Sequence, residues 1–410
     1  ERKAVSLASF MKPHILAGLD IGSHSLKMVV AQKKEENGDV EILGAAQEPS
    51  SGVRRGAVVN PEELALRVLS LKQRLENLTA KKVSHAVVNI GGSHITSISS
   101  HGIVAVSRAD HQISPEDVER VVGAAQTFSL PSNKEILEAF PQQFSVDGEQ
   151  GVKEPVGMKG VRLEADVIAV CAFSPYLRNL TDAVLSCDIE IDDIVPSPLA
   201  CSFSVLTPKQ KELGVALLDL GAGTSSFAVF EEGELVHLAV FPVGSDSITS
   251  DIAIGLRTEH DLAEYIKKEF GTLGGSRGKR QEKIDNPDGS LFTFSPKLLS
   301  HIIEARTKEI FQFVQKELKS IERGGKLPSG VVLAGGGAKL PRIDEFAKKE
   351  LKLPSRLGTP HGISTFETDS VFLGAMGLCM KGLVGLSDGT SLGESEILRK
   401  FKKLFKVFVP

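Results

Sequence analysis

The hydrophobic pattern contains one arrangement twice, once in each half of the chain. Residues 17–30, AGLDIGSHSLKMVV, read as an apolar strand, a turn with a carboxylate and a glycine, and a second apolar strand. Residues 215–230, VALLDLGAGTSSFAVF, repeat this order. Because glycine lets backbone N–H groups approach a ligand closely, such turns can surround a polyphosphate. The pattern therefore predicts two similar domains that face each other across one nucleotide.

Short apolar strands alternate with amphipathic helices along the rest of the chain, which predicts an α/β fold. Residues 61–78 carry apolar side chains on one helical face, with Asn60 as the cap and Pro61 in the first turn. Residues 296–323 predict a long helix, whereas residues 271–290, rich in Gly, Lys, Arg and Asp, predict a mobile loop. Strands are predicted at residues 15–20, 27–32, 40–45, 83–90, 103–106, 144–146, 161–171, 215–219, 226–231, 235–243 and 331–334.

Composition and charge narrow the class of protein. The chain has 410 residues, more than one ordinary core accommodates, with 24% charged and 41% hydrophobic residues. A formal net charge of −4, no Trp and two Tyr argue against nucleic acid as a partner. Without a CxxC pair or an HExxH motif, we expect free, buried thiols in a reducing compartment rather than a zinc site. The cysteines are Cys171, Cys187, Cys201 and Cys379.

The first turn offers groups that suit a metal-bound polyphosphate. Asp20 would repel a phosphate, so we expect it to bind Mg²⁺ through water. Gly22 and Ser23 can offer a backbone N–H and a hydroxyl to terminal phosphates, and Lys27 can neutralise them. Taken alone, this turn favours an ordinary β-hairpin that has a polar tip.

Two further glycine-rich elements favour a nucleotide site over an ordinary hairpin. Residues 219–224, DLGAGT, form a tight turn after a buried strand, and Asp219 is the counterpart of Asp20. Residues 334–338, AGGGA, follow another buried strand and precede a helix, a junction that suits adenosine or an α-phosphate. Three such elements in this order predict a nucleotide cleft.

The end of the chain predicts a membrane-binding helix. Residues 394–409 place bulky apolar residues on one helical face and Lys and Arg on the other, after a polar linker at residues 387–395. Such a helix lies in a membrane interface and is attracted to anionic lipid. The alternatives are a helix that docks on the protein's own core or one that binds a partner. The residues expected to contact the membrane are Ile397, Phe401, Lys402, Leu404, Phe405 and Phe408.

The turns resemble the actin–Hsp70–sugar-kinase superfamily through the strings DIGSHSLK, DLGAGT and LAGGGAKLP, and residues 196–200 and 371–377 resemble its two interdomain connectors. The resemblance implies ATP and Mg²⁺ as cofactors, with the metal held through water by Asp20 and Asp219. Glu264 and Lys267 match adenosine contacts of bacterial actins, although a solvated, salt-bridged helix face is the alternative. The implied phosphate ligands are Gly22, Ser23, His24, Lys27, Gly221, Ala222, Gly223 and Thr224. The implied adenosine ligands are Glu264, Lys267, Gly335, Gly336, Gly337 and Ala338.

Within this superfamily the chain resembles the FtsA family of bacterial cell-division proteins. The resemblance is carried by FPQQFSVDGEQGVKEPVGMKGVRLEADV at residues 140–167, DIAIGLRT at residues 251–258 and HIIEARTKEIF at residues 301–311. It implies an actin-like, ribonuclease H-like two-domain ATPase fold with a 1C subdomain in place of actin's 1B. The implied divisions are subdomain 1A at 13–83, 167–197 and about 365–386, 1C at 84–166, 2A at 198–247 and about 324–364, 2B at 248–323, the linker at 387–395 and the membrane helix at 396–410.

The resemblance also implies a function. An FtsA-like protein polymerises on the cytoplasmic face of the cell membrane at the division septum, where it tethers FtsZ filaments and meets other division proteins. Arg306 and Glu309 match the family's contact with the C-terminal peptide of FtsZ. No strong general base is evident in the sequence, so we expect at most slow ATP hydrolysis coupled to assembly. The alternatives are a PilM-type pilus-assembly binding module and an Hsp70-like ATPase or sugar kinase.

Overall fold

The computed structural model describes residues 15–34, 40–127, 130–275, 281–285, 291–364 and 369–385. The strands are β1 (Ile15–Ile21), β2 (Ser25–Lys33), β3 (Val40–Pro49), β4 (Val53–Arg54), β5 (Ala57–Val58), β6 (His85–Ile90), β7 (Thr96–Ala105), β8 (Lys134–Val146), β9 (Glu149–Val152), β10 (Arg162–Phe173), β11 (Glu190–Pro196), β12 (Val215–Leu220), β13 (Ser225–Glu231), β14 (Glu234–Phe241), β15 (Glu282–Asp285), β16 (Leu291–Phe294), β17 (Val331–Ala334), β18 (Ser355–Leu357) and β19 (Ile363–Ser364).

The helices are α1 (Pro61–Thr79), α2 (Pro115–Ala125), α3 (Ser174–Leu185), α4 (Ser197–Ala200), α5 (Ser202–Val205), α6 (Pro208–Leu213), α7 (Ser245–Leu256), α8 (His260–Phe270), α9 (Pro296–Ser320), α10 (Ile343–Leu351) and α11 (Leu373–Gly385). Short 3-10 helices lie at Gly336–Lys339 and Ser370–Phe372. Among the described helices, none is long and apolar enough to cross a membrane.

The first domain is built on a sheet with the strand order β11-β6-β1-β2-β3-β19. β1, β2 and β3 form an antiparallel meander, and β6 and β11 extend it in parallel. Gly18 faces α11 and Gly44 faces α1. In the sheet, Gly18 pairs with Val29 and Gly44 pairs with Val30. Val29 and Val30 are consecutive residues of β2, so their side chains point to opposite faces of the sheet. The two helices therefore cover opposite faces of the sheet, which buries its apolar strands on both sides.

The second domain repeats this plan with the strand order β14-β13-β12-β17-β18. β12, β13 and β14 form an antiparallel meander, and β17 joins β12 in parallel as β6 joins β1. The registers also match, because Asp20 pairs with Lys27 and Asp219 pairs with Ser226 at the turn end of each hairpin. The prediction of two similar domains is confirmed.

A third, smaller unit is inserted between β6 and α3. Its antiparallel sheet has the strand order β7-β10-β8-β9, and α2 packs on it around a separate small core that includes Val121 and Leu163. Side chains of this inserted subdomain also reach the edge strand of the second domain. Ser97 Oγ donates to the carbonyl of Leu238 at 3.1 Å, and Gln142 Nε2 donates to the carbonyl of Leu235 at 2.7 Å.

Three predicted boundaries need correction. Residue 84 is too early for the start of the inserted subdomain, because β6 (His85–Ile90) pairs with β1 in the first sheet. Residue 166 is too early for its end, because β10 continues in the inserted sheet to Phe173. Part of the segment assigned to the second domain, β19, pairs instead with β3 of the first. The physical reason is that an apolar strand does not show in its own sequence which sheet it joins.

Other predictions have mixed outcomes. The cysteines are free and buried, as expected. The loop predicted at residues 271–290 is wrong in part, because β15 pairs with β16 and buries Ile284, and residues 276–280 and 286–290 lie outside the described residues. The long helix ends at Ser320, three residues earlier than predicted. The linker and the amphipathic end of the chain, residues 387–410, also lie outside the described residues.

Close helix packing at the second connector follows from its small residues. A Cβ atom on Gly377 would lie 1.9 Å from the carbonyl oxygen of Ala200, and one on Gly382 would lie 2.1 Å from a methyl carbon of Leu16. The glycine at position 377 is required for this close approach of α11 to the first connector, because the clash there is with backbone, whereas at Gly382 the side chain of Leu16 would have to move. The small residues thus allow the second connector to pack directly on the first.

Candidate functional site

The two domains enclose a cavity of about 580 Å³, and the three predicted glycine-rich elements all contribute to its wall. The predicted residues that line it are Asp20, Gly22, Ser23, His24, Lys27, Asp219, Gly221, Ala222, Gly223, Thr224, Glu264, Lys267, Gly335, Gly336 and Gly337. Ala338 is the exception, because its side chain is buried in the core of the second domain. Its assignment to the adenosine site stays a prediction.

The two Asp–x–Gly turns share one geometry. A Cβ on Gly22 would lie 2.8 Å from the carbonyl oxygen of Ser25, and a Cβ on Gly221 would lie 2.8 Å from that of Thr224. The turns also approach each other, since a Cβ on Gly223 would lie 2.6 Å from Ser23 Oγ. Backbone groups from both domains therefore face the same part of the cavity, where they can surround a polyanion.

Two carboxylates lie at the base of the cavity. Burial, followed by the nearby charge of Asp20, raises the pKa of Asp219 to about 6, although Lys27 opposes the shift. Lys27 Nζ lies 3.3 Å from Asp20 Oδ2. Burial and the same two carboxylates also raise the pKa of the Cys201 thiol. A cation bound between the two carboxylates would offset their mutual repulsion.

Asn89, which the sequence analysis did not select, organises the first carboxylate. Its Nδ2 donates to Asp20 Oδ1 at 2.7 Å and to Ser197 Oγ at 3.0 Å. The available signal was a single amide after the apolar run AVV in the strand HAVVNI.

The third glycine-rich element lies directly beside Asp219. Gly335 has φ +81°, and a Cβ there would lie 2.2 Å from Asp219 Oδ1. Ala334 pairs with Asp219 across parallel strands, which brings the glycines to the cavity. A Cβ on Gly336 would meet nothing within 4 Å, so the backbone there is open to a ligand.

Glu264 and Lys267 form a half-buried ion pair in the cavity wall. Lys267 Nζ lies 2.6 Å from Glu264 Oε2 and donates to the carbonyl of Ser245 at 3.1 Å, while Thr249 Oγ1 donates to Glu264 at 2.5 Å. Burial opposes the charge of Glu264, but hydrogen bonds from Lys267 and Thr249 lower its pKa to about 2. The side chains are 22% and 11% exposed, which argues against the alternative of a fully solvated helix face.

The cavity rim and the outer helices contain further ion pairs. Lys339 of the second domain contacts Asp369 of the first at 2.5 Å across the cavity mouth. Away from the cavity, Arg306 on α9 donates to Asp251 on α7 at 2.7 and 3.0 Å and also contacts Glu309. The predicted pair of Arg306 and Glu309 is therefore anchored to a neighbouring helix.

The residues present fit a divalent cation with phosphates. Asp20 and Asp219 supply oxygen donors, and Gly335 leaves room beside Asp219 that a side chain would fill. In the described ranges, no group of three or more His, Cys, Asp or Glu side chains is arranged to hold a metal ion by itself. A cation here would therefore complete its coordination with water and phosphate oxygens, as Mg²⁺ commonly does.

Solved structures place the fold in the actin-like class. The chain is similar to a structure of the PilM-PilN type IV pilus biogenesis complex, with a TM-score of 0.66 at 16% identity, covering 90% of this chain and 98% of that one. It is also similar to MreB5 of Spiroplasma citri bound to ADP, with a TM-score of 0.56 at 14% identity, covering 92% of this chain and 99% of that one. The two-domain fold and its central cleft thus define an actin-like protein.

The sequence comparisons identify the family within that class. The family model described as "Cell division protein FtsA" matches residues 216–377. The family model described as "SHS2 domain inserted in FTSA" matches residues 92–171, in agreement with the corrected extent of the inserted subdomain. FtsA of Pseudomonas aeruginosa is 36% identical over 95% of this chain and 94% of its own length, and FtsA of Bacillus subtilis is 34% identical over 89% and 82%. The chain belongs to the FtsA family of cell-division proteins.

Proposed function

We propose that this chain binds ATP with Mg²⁺ in the cleft and that the bound nucleotide controls its assembly. The observation that carries the proposal is the facing pair Asp20 and Asp219, each at the turn end of a matching hairpin and in electrostatic contact. Bound Mg²⁺ would neutralise charge between these carboxylates and the phosphates. Backbone N–H groups of both glycine-rich turns, with Ser23 and Lys27, would hold the phosphates.

Calorimetry with Mg-ATP tests this binding. Asp219→Ala removes one of the two facing carboxylates, so we expect it to weaken Mg-ATP binding by about tenfold or more. Asp182→Ala changes an exposed carboxylate on α3 and serves as the matched control. An unchanged dissociation constant in Asp219→Ala would contradict the assignment of the cleft.

We further propose that the protein polymerises on the cytoplasmic face of the cell membrane at the division septum. The support is membership of the FtsA family and the amphipathic sequence of residues 396–410. Deletion of residues 396–410 should abolish sedimentation with anionic vesicles, while neutral vesicles control for non-specific binding. Vesicle binding that survives the deletion would disprove the anchor.

The same proposal includes a contact with the C-terminal peptide of FtsZ on α9. Glu309 is accessible beside Arg306, and Asp251 holds the guanidinium in place. We expect Glu309→Ala to weaken binding of the FtsZ peptide in a fluorescence anisotropy titration. Lys308→Ala alters the adjacent exposed position and controls for general effects on the helix. Equal affinity in both variants would place the peptide elsewhere.

A PilM-type binding module is the second candidate, supported only by the similarity of fold. Electron microscopy on anionic lipid monolayers separates the two. Filaments that form with ATP on these monolayers would favour the assembling protein, and their absence under conditions where Mg-ATP binds would favour the binding module.

A further inference from the structure

A buried asparagine connects the cation-facing carboxylate to the first interdomain connector. Asn89 is the penultimate residue of β6 and is 4% exposed. Its Oδ1 accepts from the backbone N–H of Ile21 at 2.6 Å, and its Nδ2 donates to Asp20 and to Ser197. Both ends of the amide are thus hydrogen-bonded, as a buried amide requires.

These contacts restrict the carboxylate of Asp20 at both oxygens. Asn89 holds Oδ1 at 2.7 Å, and Lys27 Nζ lies 3.3 Å from Oδ2. A carboxylate restrained in this way does not have to lose its rotational freedom when a cation arrives, because folding has already restricted it. Hydrogen bonds to metal-binding groups typically contribute about 10–100-fold to metal affinity.

We propose that Asn89 is a positioning residue that orients Asp20 for a cation in the cleft. The inference rests on the proposed binding of Mg-ATP. Asn89 acts through Asp20 and does not itself bind the metal. Because Ser197 begins α4, the cation site shares one hydrogen-bond network with the first connector.

The test compares ATP affinity with and without Mg²⁺ in the full-length chain by calorimetry. The ratio of the two dissociation constants measures the enhancement due to the cation. Asn89→Ala removes the amide, and Asn89→Thr places a residue that strands favour at the same position, so at least one variant is expected to fold. Ser197→Ala removes a partner of the amide but leaves the hydrogen bond to Asp20, and it is the matched control.

We expect both Asn89 variants to lower the Mg²⁺ enhancement by about tenfold, with ATP affinity in the absence of Mg²⁺ nearly unchanged. Ser197→Ala should retain most of the enhancement. If both dissociation constants weaken equally, Asn89 only supports the local structure and the inference is overturned. If both Asn89 variants keep the Mg²⁺ enhancement of the wild type, the inference is overturned but the proposed function stands. If the wild type itself shows no Mg²⁺ enhancement, the proposed function is overturned as well.

Discussion

The raised pKa of Asp219 predicts that this carboxylate reduces the stability of the ligand-free protein. The pKa is about 6 in the folded chain against an ordinary value of 3.8, so folding disfavours the ionised form. The penalty is absent below pH 4, grows as the pH rises, and is complete above pH 6. At about 1.4 kcal/mol for each pH unit by which the pKa is raised, the free-energy penalty for ionised Asp219 comes to about 3 kcal/mol at pH 8. About half of this penalty remains at pH 5.

Asp219→Asn removes the charge and keeps the shape of the side chain. We expect this substitution to raise the melting temperature of the ligand-free protein at pH 8 by more than at pH 5, while it abolishes the stabilisation that Mg-ATP gives the wild type. Differential scanning calorimetry of the full chain at both pH values measures the first effect. Asp182→Asn, on the exposed face of α3, is the control. Equal melting temperatures of Asp219→Asn and wild type at pH 8 would refute the electrostatic reasoning.

Two further predictions concern packing around the cleft. Gly335→Ala should lower the free energy of unfolding by about 1–3 kcal/mol and weaken Mg-ATP binding, because Gly335 has a positive φ and a Cβ there would clash with Asp219. Gly336→Ala, whose Cβ meets no protein atom within 4 Å, should leave the free energy of unfolding nearly unchanged in the same calorimetric assay. Lys381→Met should lower the free energy of unfolding by about 3–5 kcal/mol, because Lys381 pairs with Glu138 at 3.2 Å, with 8% of each side chain exposed, and with Asp193 at 3.3 Å. Adding Glu138→Leu should recover part of that loss in denaturant titrations, since Asp193 has still lost its contact with Lys381, and a double variant as unstable as the single one would contradict this account.

Parts of the fold and of the site could be predicted because their causes are local in the sequence. The helix after Asn60 begins as predicted, since the cap and the proline act on neighbouring residues, and Asn60 Oδ1 accepts from the backbone N–H of Glu63. The glycine-rich turns contributed all but one of their predicted residues to the cavity. Ala338 was the exception, because a motif does not show which of its residues turns inward to the core.

Other features depend on contacts between distant residues. The partner sheet of β6, the contact of Asn89 with Asp20 and the ion pair of Lys381 with Glu138 each join positions at least 69 residues apart in the chain. An apolar strand fits any sheet that buries it, and a lone amide or lysine carries no local sign of its partner. Such features cannot be predicted from a periodicity of two or 3.6 residues.

The sequence by itself determined the two strand–Asp–x–Gly–turn–strand hairpins, the third glycine-rich turn and the family resemblance, because these reside in short runs whose backbone demands are local. Tertiary structure alone decided where the inserted subdomain begins, which residues face the cavity and how far the pKa of Asp219 is raised. The reason is that burial and the field of Asp20 arise only when two turns about 200 residues apart meet across the cleft, and a pKa responds to that meeting and not to the residue's neighbours in sequence.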